Sequence, residues 1–218
     1  MKILTKYSGF TLAEVLITLG VIGVVAAMTL PTLIQNYQKQ VTINRLKETY
    51  SILSQAIKMS ELDNGDVSEW NYPEATVQSH IDWINKYLAP YMKNIQIEDG
   101  QFESYPRANI KLANGTIVQI WNNRSSTEVH AFVMFSDKPI NGKTKFVFKI
   151  GTPGKNALFK DKKGIRPYDY TDGYTGNDIR TILKDAPTFG CHKDDSSKML
   201  CTALIMYDGW KIEKDYPW

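Results

Sequence analysis

The feature that constrains this chain most is a long apolar segment close to its N-terminus. Residues 10–30 contain a single ionisable side chain, Glu14. As a helix with a rise of about 1.5 Å per residue, the segment is about 31 Å long, which matches the hydrocarbon core of a bilayer. Lys2 and Lys6 precede it and favour a cytoplasmic location for the short leader. The chain is therefore expected to enter a membrane, where a carboxylate is costly and needs an explanation.

Two simple interpretations of this segment leave Glu14 unexplained. A cleavable secretory signal has a shorter apolar region that ends at a small-x-small site, for which residues 24–26 are a candidate. An uncleaved anchor helix would instead give a membrane-anchored binding protein that keeps residues 1–9 and never polymerises. Neither interpretation has a use for the acid.

A third interpretation uses every feature of the segment. The sequence GFTLAEVLI at residues 9–17 resembles the N-terminal motif of the type IV prepilin family, which includes the type II secretion pseudopilins. The resemblance implies that a membrane-bound prepilin peptidase cuts between Gly9 and Phe10 and methylates the new amino terminus of Phe10. It also implies a role in assembly for Glu14, four residues beyond that terminus.

The physical chemistry of Glu14 suggests why cleavage would matter. Before the cut the nitrogen of Phe10 is a neutral amide, and after it the nitrogen is a cationic amine. We expect Glu14 to pair with the Phe10 amine of a neighbouring subunit, because an unpaired carboxylate in an apolar bundle is costly. The resemblance further implies irregular or loosened helix at Gly23 and Pro31, and proline removes a helical hydrogen bond.

The resemblance implies a structural subunit with a defined location and set of partners. The precursor would be a single-pass protein of the cytoplasmic (inner) membrane with its head on the outer or periplasmic side, and the mature form would join a pseudopilus or a surface filament. The implied partners are the prepilin peptidase, other pilin or pseudopilin subunits, an assembly ATPase and a membrane platform protein. The preferred function is a type II secretion pseudopilin, and the alternative is a type IV pilin for adhesion, motility or DNA uptake.

Beyond the apolar segment the pattern predicts an α+β protein with a pilin-like order of elements. One apolar stripe continues at helical spacing and is formed by Ile43, Leu46, Tyr50, Leu53 and Ile57. Asn64-Gly65 is a good helix stop. The expected parts are a leader (1–9), a transmembrane and assembly helix (10–31), its amphipathic continuation (32–64) and a head (65–218).

The head is expected to contain an antiparallel β-sheet packed on the helix. A short helix is predicted at residues 81–88. Strands are predicted at residues 109–112, 116–121, 129–135, 145–150 and 202–207. The first two of these flank an Asn-Gly turn, which is a strong hairpin indicator.

The two cysteines, Cys191 and Cys201, lie near the C-terminus. An even number of cysteines beyond a membrane-directed segment favours a disulfide in an oxidising compartment. Two free thiols remain the alternative. A polar loop between them fits a solvated segment held at both ends.

Little in the sequence indicates catalysis, metal binding or nucleic-acid binding. Four oxygen-bearing side chains in a glycine-containing stretch are candidate calcium ligands, although their spacing fits no strict calcium loop and a solvated loop is the alternative; they are Asp169, Asp172, Asn177 and Asp178. No nucleophile or triad pattern is present, so no enzymatic activity and no cofactor are expected. A net charge of +3 with scattered basic residues gives no electrostatic footprint for nucleic acid.

Overall fold

A computed structural model describes residues 9–100, 105–122, 125, 127–155 and 157–218 of the chain. It confirms the α+β, pilin-like architecture, with a long N-terminal helix and a six-stranded antiparallel sheet. The chain divides into two compact units, Met1–Val41 and Thr42–Trp218, which are described one after the other.

Helix α1 spans Leu12–Asn64 and therefore contributes to both units. Its end is marked by Gly65, whose φ of 78° lies in the left-handed region that glycine adopts without steric cost. The predicted helix stop is thus confirmed. The helix is continuous through Gly23 and Pro31.

The described part of the first unit is an apolar helix whose side chains are not covered by the chain itself. No residue of its most apolar 18-residue stretch is buried, and by length and composition the helix can cross a membrane. Leu12 and Met28 are each about three-quarters exposed. Because so much exposed apolar surface is unfavourable in water, this segment fits an anchor in a membrane.

The second unit is built on a sheet in which each strand pairs with the next along the chain. The strands are β1 (Gln96–Asp99), β2 (Ala108–Lys111), β3 (Ile117–Trp121), β4 (Glu128–Met134), β5 (Lys145–Gly151) and β6 (Gly164–Pro167). The four strands predicted between residues 109 and 150 correspond to β2, β3, β4 and β5. Both β1 and β6 were missed because they carry no clear alternation, whereas the equally short β2 was indicated by the Asn-Gly turn that follows it.

The two faces of the sheet differ sharply in chemistry. On one face, aliphatic and aromatic side chains such as Ile110, Val118 and Phe148 belong to the same buried apolar core as the second-unit part of α1. The Tyr50 ring of that helix lies 5.7 Å from the Phe148 ring. The predicted apolar stripe of α1 is therefore its sheet-facing side, and Leu46 is fully buried there.

The opposite face carries aromatic and charged side chains on neighbouring strands. Trp121 pairs with His130, His130 pairs with Lys149, and Lys149 pairs with Arg166 across β3 to β6. Because side chains alternate along strands, residues in register share one face. Lys149 and Arg166 are both buried in spite of their charge.

Two hydrogen bonds join the first turns of α1 in the second unit to the β2–β3 turn. Arg45 donates from Nη2 to the Thr116 hydroxyl at 3.1 Å, and its guanidinium lies 4.5 Å from the centre of the Phe135 ring. The Asn114 amide donates to the Glu48 carboxylate at 2.9 Å. These contacts supplement the apolar packing of α1 on the sheet.

Helix α2 (Val77–Tyr87) begins earlier than predicted, because the Thr76 hydroxyl caps it by accepting from the Ser79 N–H. Within it, the buried His80 joins the helix to the end of β3: its Nδ1 lies 2.6 Å from the Thr76 carbonyl, and its Nε2 accepts from the Asn122 N–H at 2.9 Å. The second bond requires an unprotonated Nε2, so the proton is assigned to Nδ1.

The C-terminal part of the second unit is helical where a strand was predicted. Helix α3 spans Ile179–Asp185, and helix α4 spans Cys201–Tyr207. The expected strand at residues 202–207 is wrong, because a short continuous apolar run fits a buried helix as well as a strand. The start of α4 is buried, and the Thr202 hydroxyl accepts the Val147 N–H of β5 at 2.9 Å.

Candidate functional site

The strongest sequence-predicted site lies at the start of α1. Glu14 accepts two hydrogen bonds from Thr11, one from its backbone N–H at 2.8 Å and one from its hydroxyl at 2.7 Å. The Glu14 N–H donates back to the Thr11 hydroxyl at 3.3 Å. This reciprocal arrangement resembles a capping box, in which a threonine and a glutamate three residues later satisfy the free donors of a helix N-terminus.

The role of Thr11 was missed in the sequence, although the spacing T-x-x-E was present to indicate it. Both hydrogen bonds from Thr11 reach the same carboxylate oxygen, Oε2. Thr11 and Glu14 both lie after the expected cut, so the local arrangement is compatible with the processed chain. The Glu14 carboxylate is thus held in place by its own chain.

Gly9 and Phe10 precede the helix and are exposed, with Phe10 89% accessible. The bond between them is therefore in irregular backbone. Residues 1–8 of the leader, including Lys2 and Lys6, lie outside the described residues. Cleavage after Gly9 and methylation of Phe10 stay predictions.

The expected irregularity at Gly23 and Pro31 concerns the assembled state. In the single chain, α1 keeps helical backbone at both residues. Pro31 has no N–H to donate to the preceding turn, so the helix has one fewer backbone hydrogen bond there. Loosening of this stretch on assembly therefore stays a prediction.

The expected disulfide is present. Cys191 and Cys201 are joined by an S–S bond of 1.97 Å, and both residues are fully buried. With a sequence separation of 10, the bridge restricts the unfolded chain and contributes about 3 kcal/mol in the chain-entropy treatment. Neither cysteine is a free thiol, which excludes the alternative considered from sequence.

The four candidate calcium ligands have different surroundings. Asp169 is fully buried and pairs with Arg166 and Lys149. Asp178 caps α3 by accepting from the Thr181 N–H at 2.9 Å. Within the described ranges, no group of three or more His, Cys, Asp or Glu side chains is arranged to hold a metal ion.

The capped acid, the apolar α1 and the antiparallel sheet together define a class, the type IV pilin-like proteins. A family profile described as the prokaryotic N-terminal methylation motif matches residues 4–30, in agreement with the resemblance found at residues 9–17. A second profile, described as a family of unknown function (DUF6613), matches residues 32–218. The chain belongs to that family. No curated protein and no solved structure is significantly similar to this chain.

Proposed function

We propose that this chain is a structural filament subunit, made as a membrane-anchored precursor and activated by removal of residues 1–9. The observation that carries the proposal is the oriented carboxylate of Glu14 at the start of an uncovered apolar helix. Such a helix needs apolar neighbours, and other copies of α1 supply them when the subunits polymerise. A prepilin peptidase, an assembly ATPase and a platform protein of the inner membrane would be its partners.

In this proposal, the cut at Gly9 adds a cation close to the point where Glu14 already lies. The new Phe10 amine of one subunit pairs with Glu14 of the next, and this pairing selects the stagger between helices. Opposite charges attract strongly when little water separates them. Processing therefore acts as a switch between an inserted precursor and an assembling subunit.

Among filaments of this class, we propose a type II secretion pseudopilus as the destination. The chain would then act in protein secretion, with its head on the periplasmic side. Electron micrographs of producing cells provide the distinguishing observation. A surface fibre containing the chain at normal expression would instead assign it to type IV pili for adhesion, motility or DNA uptake.

Two substitutions test the role of Glu14. Glu14→Leu removes both the charge and the acceptor for Thr11, whereas Glu14→Gln keeps an acceptor oxygen and removes only the charge. We expect both variants to insert in the membrane but to be absent from sheared or purified filaments. Glu74→Gln removes an exposed carboxylate from the head and should assemble normally.

The outcomes separate charge pairing from capping. If Glu14→Gln assembles like the wild type and Glu14→Leu does not, capping by Thr11 is the function of the residue and charge pairing is wrong. Mass spectrometry of the N-terminus from the native host completes the test. A functional protein that still begins at Met1 would refute the whole proposal and favour a non-polymerising membrane-anchored binding protein.

A further inference from the structure

Four charged side chains meet on the face of the sheet that α1 does not cover. The Lys149 ammonium on β5 lies 3.0 Å from Glu128 Oε1 on β4 and 3.3 Å from Asp169 Oδ1, just beyond β6. Arg166 on β6 donates from Nε to Asp169 Oδ2 at 3.1 Å and also contacts Glu128 Oε2. The side chains of Arg166 and Asp169 are fully buried, and that of Lys149 is 8% exposed.

One atom of this group is poorly satisfied. Asp169 Oδ1 accepts no hydrogen bond from the described residues, although the Lys149 nitrogen is 3.3 Å away. Buried carboxylate oxygens are normally hydrogen-bonded, because an unpaired buried acceptor is costly. Burying two ion pairs is also a weak source of stability, since desolvation opposes the Coulombic attraction. Neither hydrogen bonding nor ion-pair stability therefore explains why Lys149 and Asp169 are buried next to each other.

We propose that the side chains of Lys149 and Asp169 condense to form an intramolecular isopeptide bond, with Glu128 as the proton-transfer group. Lys149 supplies the nucleophile, Asp169 supplies the carbonyl carbon, and Glu128 contacts the reacting nitrogen. The three groups come from β4, β5 and the segment after β6, so only the folded sheet brings them together.

The reaction balances without any other reagent. Proton transfer from the Lys149 ammonium to the Asp169 carboxylate gives a neutral amine and a neutral acid. The amine nitrogen attacks Cγ of Asp169, and Glu128 takes a proton from that nitrogen and delivers it to the departing hydroxyl group. The new bond joins Nζ to Cγ, the bond from Cγ to the hydroxyl oxygen breaks, and one water molecule leaves.

The surroundings favour each step. The contact between Lys149 Nζ and Asp169 Oδ1 is close enough for the direct proton transfer that gives the neutral amine and acid. The fold holds the two reacting groups at contact distance, which replaces a bimolecular encounter. The Arg166 guanidinium lies on the other oxygen of Asp169 and would stabilise the negative charge that develops in the tetrahedral intermediate.

The product also fits the site. Condensation removes one positive and one negative charge and leaves Arg166 paired with Glu128, so the buried charges remain balanced. A cavity of about 230 Å³, lined in part by Glu128 and Lys149, lies beside the site and gives the released water a place to go. The bond would tie β5 covalently to the segment after β6, the last strand of the sheet.

Peptide mapping of the folded, full-length protein tests the proposal. After reduction, alkylation and trypsin digestion, we expect one branched peptide in which residues 146–155 are joined to residues 164–180. Its mass should equal the sum of the two peptides less one water, and fragmentation should locate the link at Lys149 and Asp169. The fragmentation step matters because dehydration at Asp172-Gly173 would cause the same loss of mass without a link.

The same digest contains an internal control. Lys111 and Glu98 form an exposed ion pair with a shorter distance of 2.8 Å, and they should be recovered unlinked. Lys149→Arg keeps the cation but cannot condense, so its peptides should be separate. Asp169→Asn should give the same branched product, with ammonia as the leaving group. Glu128→Gln should slow formation of the link by about 100-fold or more, as expected for loss of a proton-transfer group.

Recovery of Lys149 and Asp169 in separate, unmodified peptides from the folded wild-type protein would overturn the proposal. This measurement needs no variant, so it does not depend on whether a substitution impairs folding. Equal amounts of the branched peptide from wild type and a folded Glu128→Gln variant would refute the role of Glu128.

Discussion

At the scale of single residues, the two histidines on α2 and β4 illustrate how burial fixes a protonation state. Burial lowers the pKa of His80, while its bond to the Thr76 carbonyl acts in the opposite direction. Burial also lowers the pKa of His130, to about 3, with a further contribution from the positive charges of Lys149 and Arg166. Asp169 opposes this decrease. Both imidazoles are therefore neutral in the folded protein near pH 7.

This predicts that acid destabilises the second unit before the carboxyl groups titrate. Between the ordinary histidine pKa of 6.5 and the folded value of about 3, the unfolded chain binds a proton that the folded chain does not bind at His130. The contribution of His130 to the free energy of unfolding is therefore fully present above pH 6.5. It decreases as the pH falls, by up to about 1.4 kcal/mol per pH unit. Urea unfolding at pH 7, 6 and 5 measures the decrease.

The variant His130→Phe keeps a ring among the neighbouring aromatic side chains and removes the titrating group. Its free energy of unfolding should change less between pH 7 and pH 5 than that of the wild type. A slope as steep as that of the wild type would show that His130 does not cause the effect.

At the scale of elements, helix α4 provides a side-chain hydrogen-bond acceptor for a backbone N–H of β5. The Val147 carbonyl accepts from the Tyr168 N–H at 3.1 Å, beyond the last register pair of β5 and β6. The neighbouring N–H of Val147 has the Thr202 hydroxyl as its acceptor. The hydroxyl therefore takes the place of a strand carbonyl at the end of the ladder.

We predict that Thr202→Val destabilises the second unit by about 1–3 kcal/mol, because a buried N–H loses its acceptor while the volume is retained. Thr202→Ser keeps the hydroxyl and should lose less. Chemical denaturation of the three proteins measures the difference. Equal stability of the valine variant and the wild type would mean that this hydrogen bond contributes nothing measurable.

At the scale of the whole molecule, the two units differ in whether they have a buried hydrophobic core. All buried residues of the described chain lie at Thr42 or beyond, and they form the core between α1 and the sheet. The first unit has no core of its own in the described residues and depends on its surroundings. The second unit is therefore expected to fold independently of the first.

We predict that a fragment comprising residues 42–218 folds on its own as a water-soluble protein with the disulfide between Cys191 and Cys201. The physical reason is that the fragment retains the entire described core and loses the exposed apolar helix. Circular dichroism should give a cooperative thermal transition at the same midpoint as the full chain in detergent. A fragment without a cooperative transition would show that the second unit needs residues before Thr42.

Much of the fold was predictable because its signals are local. The apolar run, the stripe of α1 and the Asn-Gly hairpin each depend on residues close together in sequence, and the structure has the corresponding elements. The N-terminal motif around Glu14 is local too, and so was the missed partner Thr11. The strand prediction at residues 202–207 was wrong because so short a run of mainly apolar residues has no period that separates helix from strand.

The sequence by itself determined an apolar N-terminal helix with one acid, an α+β order of elements and a pair of cysteines in position to bond. Only the tertiary structure decided that Glu128, Lys149 and Asp169 meet in a buried site, that His80 joins α2 to β3, and that α4 closes the ladder of β5. Periodicity and capping act over a few residues and can be read from the chain. Contacts between distant segments depend on strand register and packing, which exist only once the sheet has formed.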